Sequence, residues 1–126
     1  MKALIVDDGF SFLEILNLQL KKLKYDVTAV NKAQAALILL RSGEIYDLIT
    51  TDLRMPEMDG EAFLKELRAM SIKVPILLIT GEFFTAKKEN VFRDLCYDII
   101  FKPYKTCDLE KTLKKYGRQN ENYRWK

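Results

Sequence analysis

The chain contains 126 residues, 48% of them hydrophobic and 31% charged, which is the balance of one globular domain with one ordinary core. Its net charge of +3 is not accompanied by a recognised nucleic-acid-binding motif, so we expect no direct nucleic-acid partner. The chain has no histidine and its cysteines lack metal-ligand spacing, which argues against zinc and excludes a catalytic triad that uses histidine.

Five short apolar runs alternate with helical patterns along the chain. The runs are Ala3–Val6, Val27–Val30, Leu48–Thr50, Pro75–Thr80 and Ile99–Phe101. Each run is continuous rather than alternating, as in strands that are buried on both faces of a sheet. The repeated alternation of strand and helix predicts an α/β fold with a parallel sheet between two layers of helices.

Five helices are predicted between and after these strands. The first begins after Asp8, the second is capped by Asn31, the third starts at Asp59-Gly60, and the fourth runs from about Phe83 to Leu95. The positions expected to face the core are Phe12, Ile15, Leu16, Leu20 and Leu23 in the first helix, Ala33, Ala36, Leu37 and Leu40 in the second, Phe63, Leu64 and Leu67 in the third, and Leu109, Leu113 and Tyr116 in the last.

Residues with reactive or charged side chains close four of the strands. Asp7 and Asp8 follow the first strand, Asp52 follows the third, Thr80 ends the fourth, and Lys102 follows the fifth. Because the carboxyl ends of parallel strands share one edge, these side chains should meet in one cleft. Clustered carboxylates repel one another unless a cation neutralises them, and their oxygens suit Mg²⁺. An aspartate beside Mg²⁺, a hydroxyl and an ammonium is equipped to accept a phosphoryl group.

The order and spacing of these residues resemble the receiver domains of response regulators in two-component signalling. The resemblance covers Lys2 to Tyr116 and is carried by Asp7-Asp8, Asp52-x-x-Met-Pro-x-Met-Asp-Gly60, Thr80-Gly81 and Lys102-Pro103. It implies a flavodoxin-like, doubly wound parallel sheet of five strands in the order 2-1-3-4-5 with five helices, as in chemotaxis regulators. Residues 1–117 would form the receiver domain, and residues 118–126 a polar tail or linker.

The resemblance also implies roles for the site residues. Asp52 would be the phospho-acceptor, and Thr80 and Lys102 would contact the phosphoryl group. The Mg²⁺ ligands would be Asp8, Asp7 mostly through water, Asp52, and the main-chain carbonyl of Arg54. The Lys102-Pro103 peptide bond would be cis, which aims the lysine into the site.

The implied function is that of a signalling phospho-acceptor rather than an enzyme. Because the chain has no histidine, a sensor histidine kinase or a histidine phosphotransfer protein would donate the phosphoryl group. A downstream effector, or an output domain missing from this chain, would respond, and a phosphorylation-dependent homodimer is a further option. We expect no membrane partner and a cytoplasmic location, since no apolar run approaches ~18 residues and no signal peptide precedes the first strand.

Two other functions compete with this interpretation. A haloacid-dehalogenase-type phosphatase shares the Asp nucleophile, Thr, Lys and Mg²⁺, but it needs a second Asp where this chain has Arg54, and its acidic pair comes last. A phosphorylation-independent binding module on the same fold should lack acceptor or metal residues, which this chain retains. Ile99 keeps that module under consideration, because typical receivers carry a mobile aromatic residue three positions before the lysine. We expect the output here not to use such a rotamer.

Three further features could affect partner binding or phosphoryl lifetime. The rings of Phe83 and Phe84 either pack into the core or form a partner surface on the fourth helix. Arg54 and Glu82 flank the acceptor and Thr80, and could pair across the mouth of the site. Phe10 and Leu13 are displaced from the core stripe of the first helix, so they either meet the phosphodonor or are buried under the loop of Tyr104.

Overall fold

Five strands alternate with five helices in the computed structural model, which describes residues 1–119, with side chains through residue 115. The strands are β1 (Lys2–Val6), β2 (Asp26–Val30), β3 (Leu48–Thr51), β4 (Ile76–Thr80) and β5 (Asp98–Phe101). The helices are α1 (Phe10–Lys22), α2 (Ala33–Arg41), α3 (Gly60–Ala69), α4 (Ala86–Leu95) and α5 (Thr106–Gln119). All five predicted strands are confirmed to within a residue at each end. The side chains of Tyr116 and of the predicted tail, residues 118–126, lie outside the described ones, so those assignments stay predictions.

The five strands form one parallel sheet in the order β2-β1-β3-β4-β5, which confirms the predicted topology. Val6 pairs with Thr51, and Thr80 pairs with Phe101, so neighbouring strands end at the same level. The residues that follow each strand therefore share one edge of the sheet. The strand β2 has one neighbour only and is half exposed, so the expectation that every strand is buried on both faces is wrong for it.

The sheet separates two hydrophobic layers. In β1, Leu4 and Val6 pack with α2, α3 and α4, whereas Ala3 and Ile5 pack with α1 and α5. Because successive side chains of a strand point to opposite faces, a central strand between two helical layers needs apolar residues at every position. This requirement explains the continuous apolar runs. Across residues 1–119, no helix is long and apolar enough to cross a bilayer.

The rotation of α1 about its axis, and hence the face that it buries against the sheet, differs from the prediction. Its buried positions are Leu13, Leu16 and Leu20, while Ile15 is 54% exposed, so the assignments of Ile15 to the core and of Leu13 to a displaced position are both wrong. Phe12 is only partly buried. Apolar residues stand on several faces of this helix, so periodicity alone could not fix which face meets the sheet.

The starts of two helices also differ from the prediction. Lys32, not Asn31, takes the N-cap position of α2 and makes no side-chain cap hydrogen bond. The helix α4 begins at Ala86 because the Thr85 hydroxyl accepts a hydrogen bond from the Lys88 N–H at 3.2 Å. The predicted start at residue 83 is therefore wrong, and Phe83 and Phe84 lie in the β4–α4 loop. At α3 the predicted start is confirmed, since the Asp59 carboxylate accepts from the Ala62 N–H.

Candidate functional site

Three carboxylates meet at the carboxyl edge of the sheet. Asp7 follows β1 and is 3% exposed, Asp52 follows β3 and is 9% exposed, and Asp8 lies open to solvent. One carboxylate oxygen from each residue lies within 4.8 Å of the other two. The structure thus brings together the three acids that were predicted, from their positions at strand ends, to converge.

Main-chain N–H groups fix the orientation of the two buried acids. The Asp7 carboxylate accepts from the Gly9 N–H at 2.8 Å, and the Asp52 carboxylate accepts from the Leu53 N–H at 2.6 Å. Gly60, at the start of α3, donates its N–H to the Leu53 carbonyl at 2.7 Å. A Cβ on Gly60 would stand 2.2 Å from the Asp52 carbonyl oxygen, so only glycine permits this close approach. The start of α3 therefore rests directly on the segment Asp52-Leu53.

Lys102 bridges the two buried acids. Its ammonium lies 2.9 Å from an Asp7 oxygen and 3.1 Å from an Asp52 oxygen. The Lys102-Pro103 peptide bond is cis, as predicted. One ammonium thus contacts two of the three carboxylates, and the cluster is short of positive charge.

The electrostatics of Asp7 reflect this shortage. Burial raises the pKa of the Asp7 carboxyl above its ordinary value and outweighs the opposing effects of the Gly9 N–H and Lys102, while the Asp52 charge raises it further. Acidic oxygens in this arrangement, with Asp8 open to water, fit a small oxygen-preferring cation that keeps several of its waters, as Mg²⁺ does. The side chain of Arg54 points to solvent, and its main-chain carbonyl as a fourth ligand stays a prediction.

Thr80 connects the site to the β4–α4 loop. Its side chain is fully buried at the end of β4, and its hydroxyl accepts from the Glu82 N–H at 3.1 Å. Arg54 and Glu82 form an ion pair, which confirms the predicted pairing. With Leu53, Asp59 and Glu61 they line a shallow pocket of about 240 Å³.

The two rings of the β4–α4 loop have different environments. Phe84 packs against Phe92 of α4 and Phe101 of β5, with ring centroids 4.9 and 5.6 Å away. Phe83 is 97% exposed. The core-packing alternative is confirmed for Phe84, whereas Phe83 faces solvent from the loop before α4, and a partner surface there stays a prediction. Ile99 is buried in the hydrophobic layer that contains Phe92.

One contact in the site was not expected from the sequence. The Lys102 ammonium lies 3.7 Å from the ring centroid of Phe12, and the ring of Tyr104 meets Phe12 edge-on at 6.0 Å. The α1 ring that meets Tyr104 is Phe12. Phe10 is 74% exposed, so the alternative of its burial under the loop of Tyr104 is wrong. The sequence placed Phe12 in the core stripe and gave no signal for a contact between residues so far apart in the chain.

Comparison with known proteins places this arrangement in a family. The model of the response regulator receiver domain matches residues 3–114. The chain belongs to the response regulator receiver family. Receiver domains act as signalling phospho-acceptors in two-component and phosphorelay systems rather than as enzymes that turn over a substrate.

This receiver domain is similar to bacterial and plant regulators. The transcriptional regulatory protein ZraR of Escherichia coli K12 is 34% identical over 89% of this chain and 25% of its own length. The two-component response regulator ORR22 of Oryza sativa subsp. indica is 32% identical over 97% of this chain and 18% of its own length. Among solved structures, the chemotaxis response regulator CheY4 of Vibrio cholerae aligns with a TM-score of 0.80 and 29% identity, over 90% of this chain and 96% of that one. The chain thus spans a quarter or less of these two curated relatives.

Proposed function

We propose that this receiver domain accepts a phosphoryl group on Asp52 from a histidine-phosphorylated partner and then changes its binding to an effector. The observation that carries the proposal is the position of the Lys102 ammonium, 3.1 Å from Asp52, beside a cluster of acids that fits a divalent cation. A general acid or base would not require this combination, whereas a phosphoryl acceptor does.

The proposed transfer assigns a task to each residue. A carboxylate oxygen of Asp52 supplies the electron pair of the new P–O bond, and the donor P–N bond breaks with its pair left on the imidazole nitrogen. Mg²⁺, held by Asp7, Asp8, Asp52 and the Arg54 carbonyl, would neutralise negative charge on the phosphoryl oxygens. The Lys102 ammonium moves from Asp52 to one phosphoryl oxygen, and the Thr80 hydroxyl donates to another.

We propose that the signal leaves the site through the β4–α4 loop. A hydroxyl can donate one hydrogen bond while it accepts another, so Thr80 can turn towards a phosphoryl oxygen and keep its bond from the Glu82 N–H. Movement of Thr80 then carries the loop that holds Phe84. Ile99 cannot reproduce the movement of an aromatic ring. Paired structures with and without beryllofluoride test this route, and a large inward movement of Ile99 coupled to Thr80 would contradict it.

The proposed partners are proteins. A sensor histidine kinase or a histidine phosphotransfer protein would be the donor, and the response would pass to an effector or an output domain. The similarity to ZraR, named as a transcriptional regulatory protein, supports an output of this kind without identifying it. The free thiols Cys96 and Cys107 fit a reducing cytoplasm.

Labelling by a small phosphodonor tests the acceptor. The wild-type chain, treated with acetyl phosphate and Mg²⁺, should gain the mass of one phosphoryl group, and Asp52→Asn should gain none. Asp26→Asn, an exposed acid at the start of β2, is the matched control and should label like the wild type. Chelation of the divalent cation should stop labelling. An unlabelled wild type, or equal labelling of Asp52→Asn, would contradict the proposal.

The binding-module alternative gains some support from Ile99, which replaces the expected aromatic residue. It predicts that effector binding is the same before and after labelling. A difference in effector affinity between the wild type and Asp52→Asn, seen only with phosphodonor present, would exclude it. The phosphatase alternative is not supported, because the chain belongs to the receiver family.

A further inference from the structure

We propose that Phe12 is a positioning residue for Lys102. Its aromatic face holds the ammonium over the acidic cluster and so raises the rate of phosphoryl transfer to Asp52. The inference rests on the proposed function and deepens it, because it adds a residue of α1 to the machinery that places the lysine.

The first support is the geometry of the ammonium. Lys102 Nζ lies 3.7 Å from the Phe12 ring centroid, well inside the limit of about 6 Å for attraction between a cation and an aromatic face. The same ammonium donates to Asp7 and Asp52. The Lys102 side chain is only 22% exposed, so water competes weakly for the charge. The ring thus provides a third contact on an ammonium already shared by two acids.

The second support is that the ring itself is held in place. Tyr104 meets Phe12 edge-on, and its hydroxyl donates to the Gln19 side-chain oxygen at 2.7 Å. The Gln19 amide in turn donates to the Thr106 hydroxyl at 2.9 Å. Burial, followed by the nearby Asp7 charge, raises the pKa of Tyr104 to about 12, so the hydroxyl keeps its proton at neutral pH. This chain of contacts joins α1 to the β5–α5 loop.

The two kinds of contact respond differently to the reaction. The attraction of the ammonium to the carboxylates of Asp7 and Asp52 weakens when positive charge enters the cluster, or when the Asp52 carboxylate loses its own charge by becoming an acyl phosphate. The attraction of the ring does not depend on the charge of either acid. Phe12 therefore retains the Lys102 ammonium in the cleft while that ammonium moves from Asp52 to a phosphoryl oxygen.

The kinetic test compares three variants with acetyl phosphate as donor. Phe12→Leu keeps an apolar side chain without a ring and should lower the maximal labelling rate about fivefold, the factor expected for a partly desolvated cation–ring contact. The donor concentration at half-maximal rate should change less. Phe12→Tyr restores a ring and should restore the rate. Ile15 lies one turn along α1 and is 54% exposed. Ile15→Ala also removes apolar surface, so it is the matched control and should label like the wild type.

A second measurement needs neither phosphodonor nor Mg²⁺. Protons next to Lys102 Nζ should resonate upfield in the wild type, in Phe12→Tyr and in Ile15→Ala because they lie over a ring, and this shift should disappear in Phe12→Leu. Equal rates for Phe12→Leu and Ile15→Ala, or a Lys102 signal unaffected by loss of the ring, would overturn the inference. A wild type that never labels, with the ring shift intact, would instead overturn the proposed function.

Discussion

Gly60 provides a direct test of the idea that backbone packing positions the acceptor. An alanine Cβ at residue 60 would lie 2.2 Å from the Asp52 carbonyl oxygen and 2.7 Å from Leu53 Cα, where ordinary contacts begin near 3.4 Å. Both neighbours are backbone atoms, so no side chain can rotate to relieve the overlap. Either the start of α3 or the acceptor segment must move by roughly an ångström. Gly60→Ala should therefore perturb stability and chemistry together.

The expected loss of unfolding free energy in Gly60→Ala follows from two opposing effects. Overpacking in a well-packed region costs up to about 3 kcal/mol, and alanine recovers up to about 1 kcal/mol through its preference for helix, which leaves a loss of about 2 kcal/mol. For a chain of this size that loss lowers the midpoint of thermal unfolding by about 8 °C. An ångström of displacement at a reacting group can cost about 100-fold in rate, so labelling of Asp52 should slow strongly.

Urea unfolding monitored by circular dichroism, combined with the acetyl phosphate labelling rate, measures both effects. The control is Gly81→Ala, whose Cβ would meet Lys102 Cβ at 3.7 Å, an ordinary contact. Gly81→Ala should change stability and labelling far less than Gly60→Ala. If Gly60→Ala unfolds at the same urea concentration as the wild type and labels at the same rate, the steric reasoning is wrong.

Four further substitutions test the site and the loop. Asp7→Asn should raise the free energy of unfolding at pH 7 in the absence of divalent cations. Burial raises the pKa of Asp7, so the stability of the wild type falls as the pH rises and the carboxyl ionises. Urea titrations should show the difference in unfolding free energy between the variant and the wild type closing towards pH 4. Arg54→Ala should shorten the aspartyl-phosphate lifetime by opening the site mouth beside Glu82, with at most about 1 kcal/mol lost in stability; an unchanged lifetime contradicts this. Phe84→Ala should lower the unfolding free energy by about 2 kcal/mol, and Phe83→Ala by less than about 0.5 kcal/mol; equal losses would refute the difference in packing.

The strands and the acidic cluster could be predicted because their signals are local. A central parallel strand such as β4 is apolar along its length, and the run from Ile76 to Ile79 meets that requirement before Thr80 ends the strand. Asp7 and Asp52 each follow the end of a strand directly, so the shared edge of a parallel sheet brings them together without knowledge of any loop.

The features that could not be predicted depend on contacts between distant segments. The rotation of α1 depends on how its side chains fit the sheet and α5, and hydrophobicity alone did not show that Leu13 rather than Ile15 faces the core. The start of α4 depends on which residue takes the N-cap position, and the sequence pattern did not favour Thr85 over Phe83 and Phe84 before it. The contact of Phe12 with Lys102 joins α1 to the end of β5, and no spacing rule links residues 90 positions apart.

The arrangement of Asp7 supports the proposal that the site uses the charge of this residue rather than its shape. An asparagine could accept the same hydrogen bond from the Gly9 N–H, and it would avoid burial of a carboxylate that is 3% exposed. Burial raises the pKa of the Asp7 carboxyl despite the contacts with Gly9 and Lys102, so the fold disfavours the ionised acid. Lys102 compensates only part of the negative charge shared by the three acids. A feature that weakens the fold but concentrates negative charge around Asp52 supports the proposed cation-assisted phosphoryl transfer over a purely structural role.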